Sequence, residues 1–235
     1  MKGDRVESGV PGMDPLMEGG FVKNSVYLIA GQTGTGKTIM CMQYLLQGLR
    51  LGESCLYLTM EQQVDDIMAD MEKFGWKDEF QGYINKGKLI VHYQPPSSMD
   101  ELREMTTNLA RKNGATRFVL DSLSIATMGW KESSQDMGKI RMSIFNYIMA
   151  LKRLGTTSLL ITEIPESEVK SLSRFGFEEF LVDGVIVLHY LEYAAGGTPR
   201  SLIIRKMRRT NHGNDIYPFD IGKSGVKVSS VKSII

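Results

Sequence analysis

"LIAGQTGTGKTIM", residues 28–40, sets a glycine-rich polar turn directly between two apolar runs. It fits the pattern Gly-x-x-x-x-Gly-Lys-Ser/Thr in full, with Gly31, Gly36, Lys37 and Thr38 at the fixed positions. Glycines at such a turn let successive backbone N–H groups point inward at a phosphate, and the N-terminus of the following helix adds partial positive charge. Lys37 is then placed for β- and γ-phosphate oxygens, and the Thr38 hydroxyl for Mg2+. A strand-like run before the turn ("SVYLIA") and a helical one after it ("TIMCMQYLLQGLRLG") supply the context in which the pattern has this meaning. Gly31, Gln32, Thr33, Gly34, Thr35, Gly36, Lys37, Thr38 and Ile39 are therefore expected to cradle a nucleoside triphosphate.

Outward from the turn, apolar runs alternate with helical patterns. Residues 25–30, 54–60, 89–93, 117–122, 156–163, 184–193 and 200–208 read as strands. The early ones are continuously apolar, as strands covered on both faces must be. Between them lie apolar stripes at helical spacing. Val64, Ile67, Met71 and Phe74 form one, closed by Gly75. Leu102, Met105 and Leu109 form another, opened by a Ser98–Glu101 capping box and closed by Gly114. Met137, Ile140, Ile144, Ile148 and Leu151 form a third. The alternation predicts an α/β fold: a mostly parallel twisted sheet flanked by helices, with an antiparallel hairpin joined through "AAGGTP" at one edge. With no internal repeat or low-complexity linker, residues 1–235 are expected to form a single domain.

Composition narrows the function classes. Apolar residues at 42% and charged residues at 23% suit an ordinary globular chain, and no apolar run approaches the roughly 18 residues of a membrane helix. The N-terminal "MKGDRVESGVPGMD" lacks an apolar export segment, so a cytoplasmic location is expected. Cys41 and Cys55 make neither a disulfide framework nor a metal set and read as core residues. The 15 methionines fall at core spacing. The net charge of +1 is unevenly spread: residues 200–235 hold eight Lys/Arg against Asp215 and Asp220, a local +6, and the remainder carries −5. A basic face of that kind meets nucleic acid, a nucleotide's phosphates or an acidic neighbouring subunit.

Two carboxylates complete a candidate site. "RFVLDS" ends an apolar run in Asp121, which a parallel sheet would deliver to the phosphate turn, where it can hold Mg2+ with Thr38; Ser122 could share that role. "YLTMEQ" ends in Glu61, which is either a helix-start residue favoured by the dipole or a base facing the same crevice. Spacing does not choose between them.

Together these residues resemble the KaiC-like branch of the RecA superfamily of ATPases. "SGVPGMDPLMEGGFVKNSVYLIAG", "GQTGTGKT", the Glu61 strand end, "VLDSLS", "SRFGFEEFLVDGVIVLHYLE" and "IIRKMRRTNH" follow in the family's order over nearly the whole chain. The resemblance implies a RecA-type core, ATP with Mg2+ bound between subunits, and a homo-oligomeric ring, often hexameric, or a filament. It places Glu61 on the family's catalytic glutamate. Family domains carry two consecutive glutamates there, whereas this chain reads Glu61-Gln62, which bears on turnover rate. Glu163, closing "TTSLLITE" after Thr162, falls where the superfamily senses the γ-phosphate. Lys206, Arg208 and His212 match a segment that reaches the γ-phosphate held by the next subunit, and the bland alternative is a solvated basic edge strand. Glu178 and Glu179 stand where autophosphorylating domains carry a Ser-Thr pair, so autokinase activity is not expected.

Two biological roles follow. One is a DNA-associated ATPase, a RadA paralog, in which Trp130 and Lys131 on one loop, and Lys170 and Arg174 on a loop near a ring axis, contact single-stranded DNA; Trp130 and Lys131 equally suit an exposed loop or a subunit contact. The other is a signalling or assembly ATPase whose nucleotide state controls protein partners. A nucleotide-binding protein with little turnover is a third, weaker reading.

Overall fold

The structure, a computed structural model, describes residues 4–128, 134–165, 172–191 and 200–229. In chain order the elements are β1 (Arg5–Val6), β2 (Phe21–Val22), β3 (Val26–Gly31), α1 (Lys37–Arg50), β4 (Cys55–Thr59), α2 (Val64–Glu72), α3 (Lys77–Asn85), β5 (Leu89–Tyr93), α4 (Met99–Asn113), β6 (Arg117–Asp121), α5 (Leu123–Ala126), α6 (Ser134–Leu154), β7 (Thr157–Glu163), α7 (Glu178–Leu181), β8 (Gly184–Tyr190), β9 (Arg200–Met207), β10 (Tyr217–Gly222) and β11 (Gly225–Val228). A short 3-10 turn, Asp14–Met17, lies between β1 and β2, which pair with each other. The other strands form a mixed sheet in the order β11-β10-β9-β8-β3-β7-β6-β4-β5.

From β8 to β5 every pairing is parallel. Parallel strands need a crossover between them, and the amphipathic stripes provide it. Both faces of β3, β4, β6 and β7 are consequently buried, whereas β5 at the edge is only partly covered. Tyr27, Ile29, Tyr57, Val119 and Ile161 pack toward α1, α2 and α3, while Leu28, Leu56, Leu58, Leu120 and Leu160 pack toward α4 and α6. That double coverage explains the unbroken apolar runs. The Ser98–Glu101 capping box forms in both directions, and Gly114 (φ 64°) closes α4 in the left-handed region. Phe74, assigned above to the α2 stripe, lies beyond that helix and stacks on Trp76 with ring centroids 5.0 Å apart.

The antiparallel hairpin forms from β8 and β9, but it is not the edge of the sheet. β10 and β11 extend the sheet past β9, so β9 is paired on both sides over Arg200–Leu202 and only with β8 beyond it. Lys206 lies in the part of β9 paired with β8 alone and Arg208 just beyond the strand, so the alternative of a basic edge strand is not overturned for them. β11 is held to α1 by the buried Gln43, whose Nε2 donates to Gly9 O and Val226 O and whose Oε1 accepts from Val226 N at 2.8 Å.

Arg117, fully buried at the start of β6, ties three segments together. Its Nη1 donates to Glu7 O at 2.7 Å and Tyr44 O at 2.9 Å, its Nη2 pairs with Glu53 at 2.7 Å, and its guanidinium lies over the Tyr44 ring. α1 packs close against β6 because residue 48 is glycine: a Cβ there would meet Arg117 Nε at 2.3 Å. The helix behind the phosphate turn is thereby fixed against the strand that carries Asp121. Among the described residues no helix is long and apolar enough to cross a membrane.

Candidate nucleotide-binding site

β3 ends at Gly31, and the chain turns through residues 32–36 into α1. Gly34 (φ 76°) and Gly36 (φ 99°) take the left-handed backbone that lets the turn curl. Space is tight as well. A Cβ on Gly36 would sit 2.5 Å from Ile221 Cδ1, and one on Gly34 would sit 2.9 Å from the Tyr190 hydroxyl. Thr35 is buried and closes the turn by donating its hydroxyl to Gln32 O at 2.8 Å. Lys37 Nζ folds back over the turn and donates to Gly31 O and Gln32 O, each at 3.0 Å. Burial pushes the Lys37 ammonium below its ordinary range, against the opposing pull of Glu163, Asp121 and Glu61.

Strand register brings them there. β6 pairs with β4 so that Asp121 lies opposite Thr59, and β7 pairs with β3 so that Glu163 lies opposite Gly31. All of these positions are C-terminal strand ends, where open α/β sheets bind ligands. The Thr38 hydroxyl donates to Asp121 Oδ2 at 2.7 Å. Burial raises the Asp121 carboxyl above its usual range, partly offset by hydrogen bonds from Tyr57 and Thr38 and by the Lys37 charge. One hydroxyl and one carboxylate, both hard oxygen donors, beside a phosphate-sized turn fit Mg2+, which takes few protein ligands and fills its shell with phosphate and water.

Glu61 follows β4 and lies ahead of α2, whose first-turn acids are Asp65 and Asp66. Thr59 Oγ1 accepts from the backbone N–H of both Glu61 (3.3 Å) and Gln62 (3.1 Å), which bends the chain at the strand end. The Ser122 hydroxyl donates to Glu61 Oε1 at 2.5 Å. Burial raises the Glu61 carboxyl, the Ser122 bond lowers it, Asp121 and Glu163 add to the rise, and Lys37 opposes it. Glu163 is exposed at the end of β7, with its N–H held by Ser124 Oγ at 2.9 Å.

A cleft of about 360 Å³ joins Thr33, Gly34, Gly36, Lys37, Thr38 and Ile39 with Glu61, Asp121 and Glu163. Gln62, Asp70, Lys73 and Phe74 line it too. Sequence reasoning missed the last three: Phe74 was read only as part of a core stripe, and Asp70 and Lys73, near the end of α2, belong to no motif. A larger groove of about 820 Å³ runs between α4 and α6, lined by Arg103, Glu104, Arg111, Phe145 and Arg153 among others. Volume therefore does not mark the site. The converging hydroxyl, lysine and carboxylates do.

Lys206, Arg208 and His212 are not brought to this cleft. β9 runs antiparallel to β8, and the register sets Met207 against Gly184 and hence level with Tyr27, at the opposite end of the sheet from Gly31. Lys206 Nζ donates to Glu179 O (2.8 Å) and Val182 O (2.7 Å), at the end of α7. Arg208, with a half-exposed side chain, lies 3.7 Å from the buried Asp183, which also pairs with Lys152 at 2.9 Å. His212 Nδ1 is 2.9 Å from Gly213 O. Of the side chains proposed for DNA, Trp130, Lys131 and Lys170 lie outside the described residues. Arg174 donates to Ser124 O at 2.8 Å and lies over Phe175. Glu178 is buried and accepts from the N–H groups of Phe175 and Phe177, and Glu178 and Glu179 both bond to Ser173.

Comparison with known proteins gives this geometry a family. A family model described as "ATPase: KaiC" matches residues 6–233. A UPF0273 protein of Thermotoga maritima is 33% identical over 95% of both chains. The circadian clock protein KaiC3 of Synechocystis is 31% identical over 98% of this chain, which spans 46% of that relative. Among solved structures, the KaiC-like protein PH0186 of Pyrococcus horikoshii superposes with a TM-score of 0.86 at 35% identity, covering 97% of this chain and 99% of that one. A complete phosphate turn, an Asp at the end of β6 bonded to Thr38 and a match along nearly the full chain converge: the protein belongs to the KaiC family of ATPases.

Proposed function

We propose that the chain is a single ATPase domain that binds ATP with Mg2+ at the phosphate turn and hydrolyses it in a homo-oligomer. The observation that carries this reading is the Ser122–Glu61 contact at 2.5 Å in the same cleft as Lys37 and the Thr38–Asp121 pair. Backbone N–H groups of residues 32–38 and the Lys37 ammonium hold the β- and γ-phosphates. Bound Mg2+, held by Thr38 and Asp121, would neutralise charge on the phosphate oxygens. Glu61, ionised and oriented by Ser122, takes a proton from water as the water oxygen bonds to the γ-phosphorus. The bond from that phosphorus to the bridging oxygen breaks, leaving ADP and inorganic phosphate. Glu163 reads the presence of the γ-phosphate at the same sheet edge, and His212, with Lys206 and Arg208, serves a neighbouring subunit.

The role of this turnover is better supported as control of protein partners than as single-stranded DNA binding. The observation favouring it is that Arg174, the described member of the proposed DNA set, donates through Nη1 to Ser124 O within the chain. ATP hydrolysis measured for wild type and Lys37→Ala, each with and without single-stranded DNA, tests both parts. Mg2+-dependent hydrolysis lost in Lys37→Ala is expected, with no stimulation or salt-sensitive binding by DNA. Full ATP affinity in Lys37→Ala overturns the nucleotide reading, and DNA binding that weakens steeply with salt restores the recombination role.

A further inference from the structure

Tyr57 is the middle residue of β4, and its ring is fully buried. Cross-strand partners on β4 and β6 are Tyr57 with Val119 and Thr59 with Asp121. Residues two apart share a face, so Tyr57 lies diagonally behind Asp121 on the face covered by α1. At that diagonal a long aromatic side chain reaches the strand end, and the Tyr57 hydroxyl donates to Asp121 Oδ2 at 2.7 Å. Thr38 donates to the same oxygen from the other side, also at 2.7 Å. The side-chain hydrogen bonds to Asp121 found among the described residues thus both end on Oδ2, and Asp121 lines the cleft.

We propose that Tyr57 is the positioning residue of the Mg2+ site: its hydroxyl clamps the Asp121 carboxylate in the rotamer that presents one oxygen to the ion, while Thr38 supplies its hydroxyl lone pair beside it. This rests on the reading of the cleft as a Mg2+–nucleotide site. The ordinary role of a buried tyrosine is packing, and the ring performs it against the α1 face. Packing needs no oxygen at the ring's far end. A hydroxyl placed there, deep in apolar surroundings, is held by the carboxylate and in turn holds it. Hydrogen-bonding partners behind a metal ligand fix its orientation, and their loss typically weakens metal binding 10–100-fold.

Tyr57→Phe removes only the oxygen and keeps the ring, so it separates the two roles. Binding of a fluorescent ADP analogue is titrated with Mg2+, and separately measured in excess EDTA, for wild type and Tyr57→Phe. Melting temperature verifies the fold, and the titration is run at low temperature on ADP-loaded protein if the variant is labile. The expected result is a half-saturating Mg2+ concentration raised about 10-fold or more, with ADP affinity in EDTA unchanged. In an Asp121→Asn background the Tyr57→Phe change should have no further effect on Mg2+ dependence. An unchanged Mg2+ midpoint in folded Tyr57→Phe overturns the proposal and leaves the nucleotide site intact. If wild type shows no Mg2+-dependent nucleotide binding, the reading of the site itself fails.

Discussion

Burial acts on Glu61 and Lys37 in opposite senses, and both effects bear on when the site works. The Glu61 carboxyl is raised, chiefly by burial, so as pH falls its ionised form is lost earlier than for an ordinary glutamate near about 4.3. The Lys37 ammonium is lowered by burial, so as pH rises its charge is lost before the ordinary lysine value of about 10.4. The profile of kcat/KM against pH, which reports free-enzyme groups, should therefore be narrowed from both sides. Ser122→Ala removes the hydrogen bond that holds Glu61 down, and should move the acid limb further up while reducing the rate. An acid limb unmoved by Ser122→Ala would show that this contact is not kept in the working enzyme. At this scale the phosphate turn, Thr38 and Asp121 were legible because a short motif fixes their chemistry. Tyr190 and Ile221, which confine Gly34 and Gly36, were not, because only strand pairing brings residues so distant in sequence to the turn.

Packing between elements turns a usual rule around at Gly48. In the interior of α1, alanine would ordinarily stabilise by about 1 kcal/mol relative to glycine. Here its Cβ would press on Arg117 at Nε and Cδ, and that side chain is pinned by Glu53, Glu7 O and Tyr44 O. Overpacking of a fixed core costs about 1–3 kcal/mol. Gly48→Ala should therefore lower the melting temperature despite its better helix propensity, and a higher melting temperature would mean that Arg117 can move. Periodicity read the parallel half of the sheet well, because double burial leaves long apolar runs. It missed β10 and β11, where Tyr217, Phe219, Ile221, Val226 and Val228 alternate with Pro218, Asp220 and Lys227 about a two-residue turn between Gly222 and Gly225. The signal was present as alternation, but Pro218 and the brevity of "GVKV" hid it. Arg117 was hidden for another reason: an arginine at a strand start reads as surface unless its partners are known.

Across the whole molecule, the placement of Lys206 and Arg208 decides how they can act. Some 13 Å of strand, four residues at about 3.3 Å each, separates their end of the sheet from the phosphate turn of the same chain. Asp183 supplies an anion beside Arg208 from within the chain, with Arg208 still half exposed beyond it. A role in hydrolysis then requires a second subunit that receives Arg208 at its own site. Lys37→Ala subunits keep this arginine and lack a working site, whereas Arg208→Ala subunits keep the site and lack the arginine. Mixtures that co-assemble should recover part of the activity that neither variant shows alone, and recovery absent in such mixtures would leave Arg208 as a partner of Asp183 only. Assembly is implied by the resemblance, and the packing of a single chain does not test it. Beneath all of this lies the claim that Glu61 is the base of an ATP-hydrolysing site. Its most direct test is the turnover of Glu61→Gln measured beside its ATP affinity: a loss of about 10²–10⁴ in kcat with ATP affinity unchanged is predicted, and hydrolysis at the wild-type rate would contradict it.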